Sequence, residues 1–152
     1  IKNTFLSNTD NAAISLRNEL LENFNLHTIL DMPGGTFIGA GVKTVVLFFI
    51  KGEPTKNIWY YQPDIERNIG KTNPLNEKDL EDFVKISKTQ KLSNNSWTIE
   101  IEKINKETLD LGVLNPNIVE VVDERTPNEI IDEIEELGKE ASEAISKIKK
   151  LL

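Results

Sequence analysis

The spacing of hydrophobic residues changes twice within the first fifty positions. Leucines recur at helical spacing from about residue 12 to residue 23, which predicts a short amphipathic helix. His27–Leu30 then shows a β-like pattern that stops at Pro33-Gly34-Gly35. Val42–Ile50 consists almost entirely of β-branched, aliphatic and aromatic residues, too apolar for a strand with a solvent face. We therefore expect Val42–Ile50 to be an interior strand of an α/β sheet.

Further elements follow with shorter signals. Ile58–Gln62 has a strand composition and lies one short turn after Val42–Ile50, so these two strands are predicted to form an antiparallel hairpin at the sheet edge. Asn76 can cap a helix that extends to about Lys88. Trp97–Ile101 alternates like a half-buried strand. The predicted fold class is thus α/β, with a mostly helical tail.

The C-terminal segment carries the second clear pattern. Thr126, Pro127 and Glu129 form a helix start with a capping box. Apolar residues then alternate at spacings of four and three, which is a heptad seam: Ile130, Ile134, Leu137, Ala141, Ala144, Ile148 and Leu151. Two interpretations remain open with equal weight. The helix pairs with a helix of a partner chain, or it folds back on its own domain.

Composition excludes several kinds of site. The chain of 152 residues has no cysteine and a single histidine, His27, which leaves no thiolate metal site and no ordinary zinc site or catalytic triad. The formal charge of −7, concentrated in the C-terminal helix, argues against a freestanding nucleic-acid-binding domain. No membrane span or signal peptide is recognisable, so a cytoplasmic location is expected. Because the chain begins at Ile1 and its one methionine is Met32, we expect it to be a piece of a longer protein.

A glycine-rich loop between the first two strands is the main candidate for chemistry. Its sequence, from Gly34 to Thr44, invites comparison with a phosphate-binding loop, but Val42 interrupts the required Gly-Lys-Thr and a strand follows instead of a helix. Phe37 lies in this loop between glycines. It either caps the hydrophobic core or offers a flat apolar face to a planar ligand such as a nucleobase.

The order of these elements resembles a known family. A leucine-rich helix, a strand ending in Leu30-Asp31-Met32-Pro33, the Gly35-x-Phe37 loop and the strand from Gly41 to Lys51 resemble adenine-specific DNA methyltransferases downstream of their catalytic motif. Several later stretches are similar to the modification subunit of type I restriction-modification systems: Trp59-Tyr60-Tyr61, Lys71–Leu75, Asp79-Leu80, Ser96-Trp97 and Pro127–Leu152. The resemblance covers most of the chain.

This resemblance implies a parent enzyme that methylates the exocyclic amine of a flipped adenine with S-adenosylmethionine. The family's donor-binding glycine motif and its Asn-Pro-Pro-aromatic tetrapeptide are missing, because Asn73-Pro74 and Asn115-Pro116 are followed by other residues. No catalytic residue and no bound cofactor are therefore expected in this piece alone. By the same resemblance Phe37 stacks on the target base, and Lys43 and Thr44 are candidates for DNA backbone contact.

The resemblance also implies an organisation and partners. Residues 1–63 would be the C-terminal part of a Rossmann-like catalytic sheet with its edge hairpin. Residues 64–125 would be an irregular region with one helix and a short strand, and residues 126–152 a heptad helix for subunit assembly. Expected partners are a specificity subunit, a restriction subunit and, in the complex, DNA; the piece alone is also expected to self-associate.

An alternative is a non-catalytic domain that oligomerises through its C-terminal helix. An Asn-Pro-Pro-aromatic motif upstream of Ile1 in the parent gene would favour the methyltransferase, and a start codon directly before Ile1 would favour the alternative.

Overall fold

Secondary structure is defined here for residues 1–37, 41–118 and 125–149 of a computed structural model. Two units are present, residues 1–118 and residues 119–152. The first unit contains α1 (Asn11–Asn23), β1 (Phe24–Asp31), β2 (Val45–Lys51), β3 (Asn57–Tyr61), α2 (Glu81–Ser87) and β4 (Ser96–Glu100). The second contains α3 (Pro127–Lys149). Short 3-10 turns lie at Asn3–Leu6, Glu77–Leu80 and Ile101–Lys103.

The four strands form one mixed sheet in the order β2-β1-β3-β4. The central strand β1 is antiparallel to β2 and parallel to β3, so that Ile29 lies opposite Leu47 on one side and Tyr60 on the other. The outer strand β4 is antiparallel to β3. The mixed α/β class is confirmed, and the predicted helices and strands are present, with boundaries in the described ranges that differ by at most four residues.

The predicted hairpin of β2 and β3 is wrong, because β1 lies between these two strands. The short link between them crosses the start of β1 and is tied there by Thr55. The hydroxyl of Thr55 accepts a hydrogen bond from the Leu26 N–H and donates one to the Phe24 carbonyl, each at 2.8 Å. These bonds let five residues bridge a neighbouring strand, an arrangement that turn length alone does not reveal.

The predicted interior position of Val42–Ile50 is also wrong for this chain. Within the part of the chain that the structure describes, β2 is an edge strand of the sheet. Its last residues are exposed, with Phe48 at 36%, Phe49 at 47% and Ile50 at 63%. The prediction rested on composition, which indicates burial but does not determine where a strand lies in the sheet.

Apolar side chains are buried on both faces of the sheet. On one face α1 packs through Leu20 and Leu21 against residues such as Ile29, Ile58 and Tyr60. On the other face Phe83 of α2 packs against a smaller set: Leu30, Met32, Trp59 and Tyr61. The two faces thus have separate cores, and the loops at the carboxyl ends of β1 and β3 emerge between them.

The unit that contains α3 shows the predicted helix start. The N–H of Thr126 donates to the Glu129 carboxylate at 2.6 Å, and the N–H of Glu129 donates back to the Thr126 hydroxyl at 3.3 Å. This confirms the capping box and holds the pKa of Glu129 below its usual value. None of the residues Pro127–Lys149 is buried.

Candidate functional site

The glycine-rich loop follows the carboxyl end of β1 and leads into β2. Its first turn is closed by the hydroxyl of Thr36, which donates to the Pro33 carbonyl at 2.7 Å. Phe37 comes next and its side chain is 53% exposed. Residues 38–40 lie outside the described residues. The structure thus presents the aromatic ring of Phe37 at the surface, on a loop that begins with a fixed turn.

A second loop, residues 62–76, follows β3 and contacts the glycine-rich loop. The two loops meet because β1 and β3 are parallel neighbours, so their carboxyl ends share one sheet edge. Contact is direct at Gly35, which has φ +81°; a Cβ there would overlap the Ile69 carbonyl oxygen and lie 3.0 Å from the Ile69 carbonyl carbon. Only glycine satisfies both the backbone angle and this close approach.

Arg67 braces the second loop. Its guanidinium donates to the Asn73 side-chain oxygen at 2.7 Å, to the Pro74 carbonyl at 3.3 Å and to the Asp79 carboxylate at 2.5 Å. Asp79 in turn accepts the Asn76 N–H at 2.8 Å. That backbone hydrogen bond, with Arg67 as a smaller contribution, lowers the pKa of Asp79. The second loop, which contacts Gly35, is therefore anchored to the helical turn that precedes α2.

Polar groups lie at the foot of the glycine-rich loop. The Lys43 ammonium pairs with the Asp31 carboxylate at 2.7 Å, and the Lys43 side chain remains 42% exposed. The other Asp31 oxygen and the Thr44 hydroxyl are buried and have no hydrogen-bond partner among the described residues. Lys43 is thus a partly exposed cation at the foot of the glycine-rich loop, held beside the Asp31 carboxylate.

The apolar stripe of α3 is a second candidate site. Ile134, Leu137 and Ile148 of the predicted seam are 63%, 56% and 58% exposed, whereas Ile130 is half-buried. Ala141 is exposed as well, and Leu151 lies outside the described residues. A stripe of large apolar side chains left in solvent on a helix is typical of an interaction surface.

Sequence reasoning missed part of each site. The strict heptad pattern left out Ile131 and Ile145, which are 53% and 54% exposed and widen the stripe of α3; a count at 3.6 residues per turn finds them. The Gly35–Ile69 contact and the Arg67–Asp79 pair join positions more than ten residues apart, and no local signal predicts them.

In the described part of the chain, no group of three or more His, Cys, Asp or Glu side chains is placed to hold a metal ion. The ring of His27 is engaged instead with the neighbouring Thr28 hydroxyl at 2.9 Å. None of the helices in the described ranges has both the length and the apolar character needed to cross a membrane.

Comparison with known proteins defines the class. A family model described as N-6 DNA Methylase matches residues 1–125, and the chain belongs to this family. More particularly, it is 30% identical over 148 residues to the type I restriction enzyme EcoEI methylase subunit of Escherichia coli. It is also 36% identical over 83 residues to the type I restriction enzyme EcoKI methylase subunit of Escherichia coli strain K12, which covers 47% of this chain and 15% of that protein.

Solved structures of type I restriction-modification proteins resemble this chain as well. A chain from work on complex assembly and conformational transition of the type I R-M system superposes with TM-score 0.72 and 29% identity, covering 99% of this chain and 34% of that one. The modification subunit of a putative type I restriction enzyme from Vibrio vulnificus YJ016 gives TM-score 0.68 and 28% identity, over 80% of this chain and 27% of that one. The match to the EcoEI subunit includes 88% of this chain but only 29% of that subunit. It therefore corresponds to part of a larger protein.

Proposed function

We propose that this chain is the C-terminal part of a type I restriction-modification methyltransferase subunit. The parent would transfer the methyl group of S-adenosylmethionine to the exocyclic amine of adenine in DNA. The family match over residues 1–125 is the observation that carries this proposal. The similarity to a type I methylase subunit along 88% of the chain narrows it to that class.

Within this function, the glycine-rich loop is proposed to contact the target base. Phe37 is exposed on a loop whose first turn is closed by Thr36 and in which Gly35 lies against the Ile69 carbonyl. An exposed aromatic ring offers a stacking face to an unpaired base, and stacking of this kind contributes about 1–3 kcal/mol per base. Phe37 is thus the proposed contact for the flipped adenine.

Lys43 and Thr44 are the proposed DNA backbone contacts. Lys43 already neutralises Asp31, and its partial exposure leaves donor positions for a phosphate oxygen. The neighbouring Thr44 hydroxyl is buried, so its contact with a phosphate requires the loop to open. A phosphate at Lys43 would compete with Asp31, so this contact is expected to depend strongly on salt.

Donor binding and the catalytic tetrapeptide are proposed to lie in the part of the subunit outside these 152 residues. The chain contains no Asn-Pro-Pro-aromatic sequence. Its role in the reaction is then to complete the sheet, to present Phe37 and to supply α3 for assembly with the specificity and restriction subunits.

The test uses the full-length subunit assembled with its specificity subunit and target DNA. Phe37→Ala is expected to lower kcat/KM for DNA by about 5- to 150-fold, which corresponds to a lost stacking energy of about 1–3 kcal/mol, with donor binding unchanged. Phe37→Tyr keeps a flat ring and is the matched control, expected to retain most activity. The fluorescence of 2-aminopurine at the target position reports flipping directly. Unchanged turnover together with unchanged fluorescence in Phe37→Ala would contradict the stacking role.

A further inference from the structure

A tight turn at the tip of the second loop places several hydrogen-bond donors side by side. The turn spans Gly70–Asn73, and its two end residues exchange backbone hydrogen bonds of 3.1 and 3.2 Å. Lys71 and Thr72 form the apex of the turn, and both residues are exposed. Neither their backbone N–H groups nor the Thr72 hydroxyl has a hydrogen-bond partner in the described part of the chain. The turn therefore offers an ammonium group, a hydroxyl and two amides to solvent.

Arg67 holds this turn in place. Its guanidinium donates to the Asn73 carbonyl at 3.2 Å and to the Asn73 side-chain oxygen at 2.7 Å, and it also binds the Asp79 carboxylate. The Asn73 side-chain N–H donates in turn to the Asn68 carbonyl at 3.3 Å. Because the turn is already ordered, its donors bind a ligand with little further loss of conformational entropy.

Lys71 carries the positive charge that the second loop leaves unpaired. The other cation of this hydrogen-bonded network, Arg67, is neutralised by Asp79. Asp64 and Glu66 lie in the same loop, yet Lys71 forms no ion pair with them or with any other described residue. A lysine ammonium beside a threonine hydroxyl and free backbone N–H groups is a set of donors with which proteins contact phosphate oxygens. The chemistry of the turn therefore fits a phosphate group.

The position of the turn indicates which phosphate it meets. Ile69 directly precedes the turn, and its carbonyl lies against Gly35, two residues before Phe37. The turn and the aromatic ring thus lie on two loops that touch at one edge of the sheet. A base that is flipped out of the duplex stays joined through its sugar to the phosphates on either side of it. A base stacked on Phe37 would therefore bring one of these phosphates towards the second loop.

We propose that the Gly70–Asn73 turn binds a backbone phosphate of DNA beside the target adenine. Lys71 would supply the charge, and the Thr72 hydroxyl and the apex N–H groups would donate hydrogen bonds to the phosphate oxygens. Arg67 would be a positioning residue, because it orders the turn while its own charge is taken up by Asp79. This inference rests on the proposed function, and it adds a contact from the second loop to those of the glycine-rich loop.

Salt titration of DNA binding tests the contact in the full-length subunit assembled with its specificity subunit. Loss of one phosphate contact reduces the slope of log affinity against log salt by about 0.9, and a purely electrostatic contact contributes nothing at about 1 M salt. Lys71→Ala is therefore expected to weaken binding of the target DNA by about 15-fold at about 50 mM salt and by about fourfold at about 200 mM. Fluorescence anisotropy of labelled DNA measures affinity at each salt concentration.

Two further variants make this result specific. Lys71→Arg keeps the charge and is expected to bind DNA as the unsubstituted subunit does. Lys56→Ala removes an exposed lysine that precedes β3, at the opposite edge of the sheet, and should change neither the affinity nor the slope. An unchanged slope in Lys71→Ala, or an equal loss in Lys56→Ala, would overturn the proposal. Methyl transfer by the unsubstituted complex is a separate test of the proposed function, so these outcomes leave that assignment intact.

DNA that carries a single neutral methylphosphonate shows whether the contact is direct. Neutralising the phosphate bound by the turn is expected to weaken binding of the unsubstituted subunit about as much as Lys71→Ala does. The two changes together should weaken binding no more than either one alone, because they remove the same contact. If every methylphosphonate beside the target adenine weakens the Lys71→Ala variant as much as the unsubstituted subunit, the turn does not bind a phosphate there and the proposal is wrong.

Discussion

Single residues set the geometry of the candidate site, and two of them show where sequence reading reaches its limit. The sequence marks Gly35 and Phe37 as a glycine-rich loop with one aromatic, and this was enough to find the loop. It contains no sign that Gly35 lies against the Ile69 carbonyl. Arg17 is a similar case. It lies on the amphipathic helix α1 yet is fully buried, because three carbonyls converge on its guanidinium: those of Phe5, Asn8 and Thr108.

Gly35→Ala is expected to distort the loop that carries Phe37. The new Cβ would meet backbone rather than a movable side chain, and the positive φ is unfavourable for alanine. We expect a loss of about 1–3 kcal/mol in the free energy of unfolding, measured by urea titration. Gly34→Ala is the matched control, because a Cβ at Gly34 has nothing within 4 Å and its φ is not in the left-handed region. Equal effects of the two substitutions would show that the Gly35–Ile69 contact does not shape the loop.

At the scale of elements, local patterns were reliable and pairing was not. The capping box at Thr126 and the strand composition of Trp59-Tyr60-Tyr61 are local, and both elements formed where predicted. The predicted pairing of β2 with β3 fails because β1 lies between them, and Thr55 ties the link from β2 to β3 across the start of β1. That tie joins residues about thirty positions apart. The composition of Val42–Ile50 predicted burial, yet β2 is an edge strand in the described residues and its last residues are exposed.

The helical turn before α2 is expected to weaken in acid. The pKa of Asp79 is lowered in the folded state, chiefly by the Asn76 N–H, so its ionised form is the one that folding favours. The stabilisation is therefore present above the ordinary carboxyl pKa of 3.8 and is lost as pH falls through the lower folded-state value. Asp79→Asn should lower the urea midpoint at pH 7, and the difference from the unsubstituted protein should shrink towards pH 3.

Glu77→Gln is the control for Asp79→Asn, since it removes a charge from the same turn without touching Arg67 or the Asn76 N–H. It should leave the urea midpoint at pH 7 nearly unchanged. A difference between Asp79→Asn and the unsubstituted protein that stays constant from pH 7 to pH 3 would rule out the ionised carboxylate as the source of stability.

At the scale of the whole molecule, the chain consists of two units that differ in burial. Residues 1–118 hold both cores and both loops of the site, whereas α3 has no buried side chain. A helix of this length without burial does not gain its stability from propensity alone. Its amphipathic stripe instead favours docking to another helix, and in the proposed type I assembly the specificity subunit is the expected partner.

Charges placed on the stripe of α3 should break this docking. Ile134→Asp combined with Ile148→Asp puts two carboxylates where apolar contact is proposed, and we expect binding of the specificity subunit to weaken by at least about tenfold. Asn128→Asp with Ser146→Asp adds the same charge about 120° away around the helix and should assemble normally. Size-exclusion chromatography measures assembly, and donor binding by calorimetry reports whether the catalytic sheet stays folded. Normal assembly of the stripe variant would exclude α3 as the docking surface. Loss of donor binding in that variant would instead indicate that α3 supports its own subunit.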